Sequence, residues 1–168
     1  MMLATHAVAG AAAALIVRSN PILGFFVACA SHFLLDAIPH WDYPIRSLEH
    51  DPKTLRGIRI SFDRLFVKDF FRAGVDASIG AALSFAIIRP ADGYTALIAS
   101  LGIIGGMIPD FLQLVYYALK REPFISIQRF HSWTHSDIRL YGTHNIVGIG
   151  SQIVLMLLIS FSMFNLAT

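Results

Sequence analysis

Residues 31–42 read Ser31-His32-Phe33-Leu34-Leu35-Asp36-Ala37-Ile38-Pro39-His40-Trp41-Asp42. The stretch ends a long apolar run, yet it carries two imidazoles and two carboxylates. His32 and Asp36 stand four apart, so a helix puts them on one face, one turn from each other. Pro39 interrupts that helix and lets His40 and Asp42 turn back toward the same face. Such a set is half of a metal site. An apolar helix does not tolerate it without partners supplied from elsewhere in the chain.

The surroundings of that stretch are those of a membrane protein. The 168 residues suit one domain. They are 55% hydrophobic and 14% charged, with a mean hydropathy of +0.61, whereas soluble domains carry about 25% charged residues. A net charge of +2 gives no reason to expect a nucleic-acid partner. Cys29, the single cysteine, excludes an intrachain disulfide and a cysteine-rich zinc site. No Lys or Arg precedes the first apolar segment, so the start does not read as a signal peptide.

The expected fold is therefore all-α, a polytopic bundle of about five transmembrane helices in a single domain. The spans fall at about 3–17, 22–38, 71–88, 94–119 and 144–164. Asn20 and Pro21 form the cap and first position of the second. Gly102 and Gly106 in the fourth permit close helix packing. The loops 39–70 and 120–143 are the polar segments. Asp51-Pro52 would cap a short helix in the first of them, and Phe62, Leu65, Phe66 and Phe70 recur at the spacing of a helix lying in the membrane interface. Of the 13 Lys and Arg, only Arg18 and Arg89 fall on the side opposite these loops. The positive-inside rule then places the N-terminus and both loops in the cytoplasm.

The same topology gathers the polar residues. His6, His32, Asp36, His40, Asp42, Asp76, Asp110, His131, His135, Asp137 and His144 all fall toward the cytoplasmic end. A charge inside a bilayer costs roughly 2.5–3.5 kcal/mol on insertion scales, so such groups face one another or a wet cavity. His131 and His135 repeat the four-residue spacing. Blander roles compete at several positions. His50, Asp51, Asp63, Asp69 and Asp92 read as caps or interfacial anchors, His144 as a cap, and Asp76 as a partner for Arg72. Trp41, Tyr43, Trp133 and Tyr141 read as interface anchors.

An early His6, the Pro109-Asp110 pair, His131-Ser-Trp-Thr-His135-Ser136 and Ser31-His32 to Asp36 together resemble the bacterial membrane-bound metal-dependent hydrolase family, and more loosely the helical zinc-dependent phospholipases C. The resemblance covers the motif regions only. Here the Ser-His-x-x-x-Asp box lies near the front of the chain. Leu112 stands where the family carries a second Asp, a gap that Asp42 or Asp36 would fill. The resemblance implies a bacterial or archaeal cytoplasmic-membrane protein with a divalent metal.

The candidate ligands are His6, His32, Asp36, His40, Asp110, His131 and His135, with His32, Asp36, His131 and His135 foremost. Imidazole and carboxylate without thiolate favour zinc, with manganese or iron as alternatives, and the set is large enough for one or two ions. Asp110 or Asp42 is the candidate general base. Arg46, Arg129 and Arg139 are candidates for holding phosphate. The expected activity is hydrolysis of a membrane lipid or lipid-linked phosphoester at the cytoplasmic face. Two other readings stand beside it: a scaffold in which the polar residues only clamp helices, and a transporter of metal ions or protons.

Overall fold

The computed structural model describes residues 1–50, 58–136, 138, 140 and 144–167, the last three of these by backbone alone. Among them are six helices: α1 (Leu3–Ile16), α2 (Pro21–Asp36), α3 (Arg64–Ile88), α4 (Gly93–Leu119), α5 (Phe124–Thr134) and α6 (Asn145–Ala167). Strands β1 (Leu48–His50) and β2 (Ile58–Ile60) form an antiparallel pair, with Leu48 opposite Ile60.

Helices α3, α4 and α6 are long and apolar enough to cross a membrane. At 1.5 Å per residue α3 extends about 37 Å, against a hydrocarbon core of about 30 Å. Their outer faces are apolar as well. Phe71 is 72% exposed, Ile146 85% and Phe161 70%, which is what a lipid-facing surface requires. Helices α1 and α2 are also apolar but shorter, at 14 and 16 residues.

The bundle is arranged around α1, which packs against α2, α3, α4 and α6. Ten of its residues are buried, mostly alanine and glycine. Small side chains are needed there because backbones meet. A methyl group on Gly102 would sit 2.6 Å from the Gly10 carbonyl oxygen, and one on Gly106 would run into the His6 carbonyl. Gly80 of α3 approaches Ala4 as closely. Below these contacts Ala7, Val8, Ala11, Ala14 and Leu15 form the core with Ile98, Ala99, Ile103 and Met163.

Helix starts follow local chemistry. The Asn20 side chain accepts from Leu23 N at 3.1 Å, Asp63 from Leu65 N at 2.8 Å and Asp92 from Thr95 N at 2.7 Å, each satisfying an amide that the first turn leaves open.

Several expectations change. Phe66 and Phe70 belong to the first turns of α3, continuous with the span, rather than to a separate interfacial helix. The second polar loop contains α5. Asp76 does not pair with Arg72; its carboxylate accepts from Leu3 N at 2.7 Å and Ala4 N at 3.3 Å, and so caps α1. Asp51-Pro52 lies outside the described residues.

Candidate metal centre

Asp36 ends α2 and is 1% exposed. Its carboxylate gathers side chains from both of its edges. Oδ2 lies 3.2 Å from His32 Nε2, one turn back on the same helix, and 3.2 Å from His131 Nε2 on α5. Oδ1 lies 3.2 Å from His6 Nε2 on α1 and 3.8 Å from His40 Nε2. Asp110 Oδ1, from α4, stands 3.8 Å from both His32 Nε2 and His131 Nε2. On the other side, Asp42 Oδ2 is 3.4 Å from His40 Nε2 and 4.0 Å from His135 Nε2. The amino group of Met1 lies between the two carboxylates, 3.2 Å from Asp36 and 2.6 Å from Asp42.

The two motif segments are joined through their backbones. Ser136 N donates to the Asp36 carbonyl at 2.8 Å, and Leu140 N donates to the His40 carbonyl at 3.1 Å. The chain leaves α5 at this point. His135 is the C-cap of α5, and its N–H still donates to the His131 carbonyl at 3.0 Å. Its ring lies nearly parallel to that of His131, at 6.0 Å between centroids, as the four-residue spacing predicts, while ψ 131° turns the chain out of the helix after it. Its ring also packs against His40, at 4.8 Å between centroids.

Three of the imidazoles are oriented for ligation. His32 Nδ1 lies 2.8 Å from the Gly106 carbonyl, His40 Nδ1 2.7 Å from the Ile38 carbonyl and His135 Nδ1 2.9 Å from the Ser136 carbonyl. A carbonyl oxygen only accepts, so each Nδ1 carries the proton and donates. In the neutral ring the lone pair is then on Nε2. Nε2 of His32 and of His40 is buried and makes no aligned hydrogen bond, although carboxylate oxygens lie 3.2–3.8 Å away. A lone pair facing a carboxylate is unfavourable unless a cation stands between them. Metal-ligating histidines are held in this way, with the second nitrogen donating to a carbonyl. Two groups have donor atoms within 4.8 Å of one another: His32, Asp36, Asp110 and His131, and then Asp36, His40 and His135. Asp36 belongs to both.

Outside the spans the electrostatics agree with this picture. Burial alone would raise the Asp42 carboxyl, but His40 and the amino-terminal charge beside it hold it well below the usual carboxylate range. Burial lowers the His135 imidazole below its ordinary value, with the Ser136 carbonyl opposing in part. Both shifts favour the deprotonated forms that bind metal.

A cavity of about 680 Å³ opens beside the cluster. Asp42, Asp110, His131 and His135 line one part of its wall. The rest is largely apolar, with Phe66 and Phe70 from α3, Met107, Phe111 and Leu114 from α4, and Ile58 and Ile60 from β2. The structure thus brings together all seven candidate ligands and Asp42. It does not bring the phosphate candidates. Arg46 and Arg129 are exposed and do not line the cavity, while Arg139 lies outside the described residues, as does Asp137. His144 and His50 are exposed and belong to neither group of donor atoms.

Sequence reasoning missed two supports. Gln152 of α6, 1% exposed, accepts from Met2 N at 2.9 Å and donates to the Trp41 carbonyl at 2.8 Å, tying three segments at the site. Its signal was an amide in the middle of an apolar span. The Gly106 carbonyl that orients His32 carried no side-chain signal at all. The chain matches no protein-family model, no curated protein and no solved structure.

Proposed function

We propose that this chain is a membrane-embedded, metal-dependent hydrolase of a lipid or lipid-linked phosphoester. The observation that carries the reading is the set of three imidazoles whose Nδ1 atoms are tied to backbone carbonyls while their Nε2 atoms face the Asp36 and Asp42 carboxylates. In this reading His32, His131, Asp36 and Asp110 hold one divalent ion, zinc in the first instance and manganese or iron otherwise. Asp36, His40 and His135 hold a second, with Asp36 shared and His6 packed behind it. A divalent ion there supplies Lewis-acid polarisation of a phosphoryl oxygen and activates water near neutral pH.

The protein's own groups do the remaining work. Asp110, 28% exposed and on the cavity wall, accepts the proton of the attacking water as general base, with Asp42 as the alternative. The apolar wall accommodates hydrocarbon and keeps bulk water from the reacting phosphoester. Five spans with the N-terminus and site on the cytoplasmic side of a bacterial or archaeal membrane complete the reading, supported by the Lys and Arg asymmetry. The shorter α1 is then shielded inside the bundle.

A helix clamp without metal is disfavoured because clamps need paired groups, and here buried nitrogens lack aligned partners. A transport path is disfavoured because the opposite half is packed with alanine and aliphatic side chains. Among the described residues its buried polar side chain is Ser84, whose hydroxyl donates to the Gly80 carbonyl.

Activity on phospholipid or lipid-linked phosphate in mixed micelles tests the proposal. Asp110→Asn is expected to lower turnover about 10²–10⁴-fold while metal is retained by the remaining ligands. Full activity in that variant removes Asp110 from the mechanism. No phosphoester hydrolysis by metal-loaded wild type contradicts the enzyme reading.

A further inference from the structure

Away from the metal cluster, the same cavity has a second polar spot. Asp69 on α3 is 7% exposed and Ser47, just before β1, is 1% exposed, and both line the cavity. Asp69 Oδ2 accepts from Ser47 N at 2.8 Å, which pins the β1–β2 strap to α3. Pinning uses only part of what is there. Asp69 Oδ1 and Ser47 Oγ are both buried without a hydrogen-bond partner. Among the described residues, Lys68 is exposed, and Arg72 donates from Nη1 to the Pro44 carbonyl at 3.1 Å. A buried carboxylate oxygen and a buried hydroxyl without partners, on residues that line a cavity, are costly unless a ligand completes them.

We propose that Asp69 and Ser47 form the head-group subsite of the lipid site and receive the primary ammonium of an aminophospholipid. The inference rests on the lipid-phosphoester reading above and adds the substrate class. A hydroxyl would satisfy the hydrogen bond but leave the carboxylate's charge uncompensated. An ammonium supplies both, with N–H groups for Asp69 Oδ1 and Ser47 Oγ. A trimethylated ammonium has no N–H and is excluded. The geometry also divides the ligand: phosphate toward the metal cluster, ammonium toward Asp69, and hydrocarbon along Phe66, Phe70 and Leu114.

The test is equilibrium binding of short-chain phosphatidylethanolamine, phosphatidylglycerol and phosphatidylcholine to metal-loaded protein in detergent, for wild type, Asp69→Asn and Ser47→Ala. Asp69→Asn keeps an acceptor for Ser47 N, so the strap stays pinned, and metal content reports an intact site. Wild type is expected to prefer phosphatidylethanolamine over phosphatidylcholine by about ten-fold. Asp69→Asn is expected to abolish that preference with metal unchanged, and Ser47→Ala to reduce it. Equal binding of the three lipids, or a preference that survives Asp69→Asn, overturns the subsite and leaves the lipid site standing. Phosphatidylglycerol binding as tightly as phosphatidylethanolamine, with both weakened in Asp69→Asn, overturns the ammonium assignment in favour of hydroxyl recognition. Failure of every lipid to bind overturns this inference together with the lipid reading beneath it.

Discussion

The two halves of the bundle use the same helices for opposite purposes. In one half, α1 offers Ala7, Val8, Ala11 and Ala14 to Ile98, Ala99 and Ile103 of α4, and the helices close on each other through small side chains. In the other half, the same helices offer His6 and Asp110 to a cluster of imidazoles and carboxylates. The apolar half gains from contact and needs no partner. The polar half has buried groups that are incomplete by themselves. Close packing in the first therefore sets the geometry of the second, and Gly106 is where they meet. It admits the His6 backbone, and its carbonyl orients His32.

That coupling can be broken most severely at Gly106. Gly106→Val puts side-chain atoms into the His6 backbone, and is expected to cost roughly 3 kcal/mol. Thermal unfolding in detergent and metal content should fall together. Loss of stability with full metal binding would uncouple the two halves.

Asp36→Asn addresses the polar half alone. Added metal raises the unfolding temperature of a protein that binds it only when folded, so wild type is expected to gain stability with metal and lose it with chelator. Asp36→Asn should show neither response, since both ligand groups lose their shared member. An unchanged metal response would remove Asp36 from the centre of the site.

At the far end of the molecule, Asp92→Ala removes an exposed cap of α4. The expected cost is about 1 kcal/mol, with metal content and activity unaffected. A change in metal content would show that the apolar half transmits strain to the site.

Much of this was legible in the sequence where the physics is local. His32 and Asp36 lie on one helical face because of their spacing, and Asn20 and Asp92 cap because short polar side chains reach the first turn's amides. The gathering of His6, Asp110 and His131 followed from the cost of isolated charges in an apolar setting. What was not legible depends on distant backbone. The chain turns out of α5 after His135, where Ser136 N pairs with the Asp36 carbonyl, a hundred residues away in sequence terms, and the His135 ring meets His40 as well as His131. Asp69 looked like a cap because nothing near it in sequence announces Ser47. The helix α5 was hidden inside a polar stretch, where its buried face is little more than Gln128 and His131.

The most direct test of the central claim is metal content per chain in detergent-purified wild type beside His32→Ala and His131→Ala. The account predicts one or two equivalents of a divalent transition metal in wild type, lost in both variants, because α2 and α5 build one site. A well-folded wild type that holds no metal even after added zinc would contradict it.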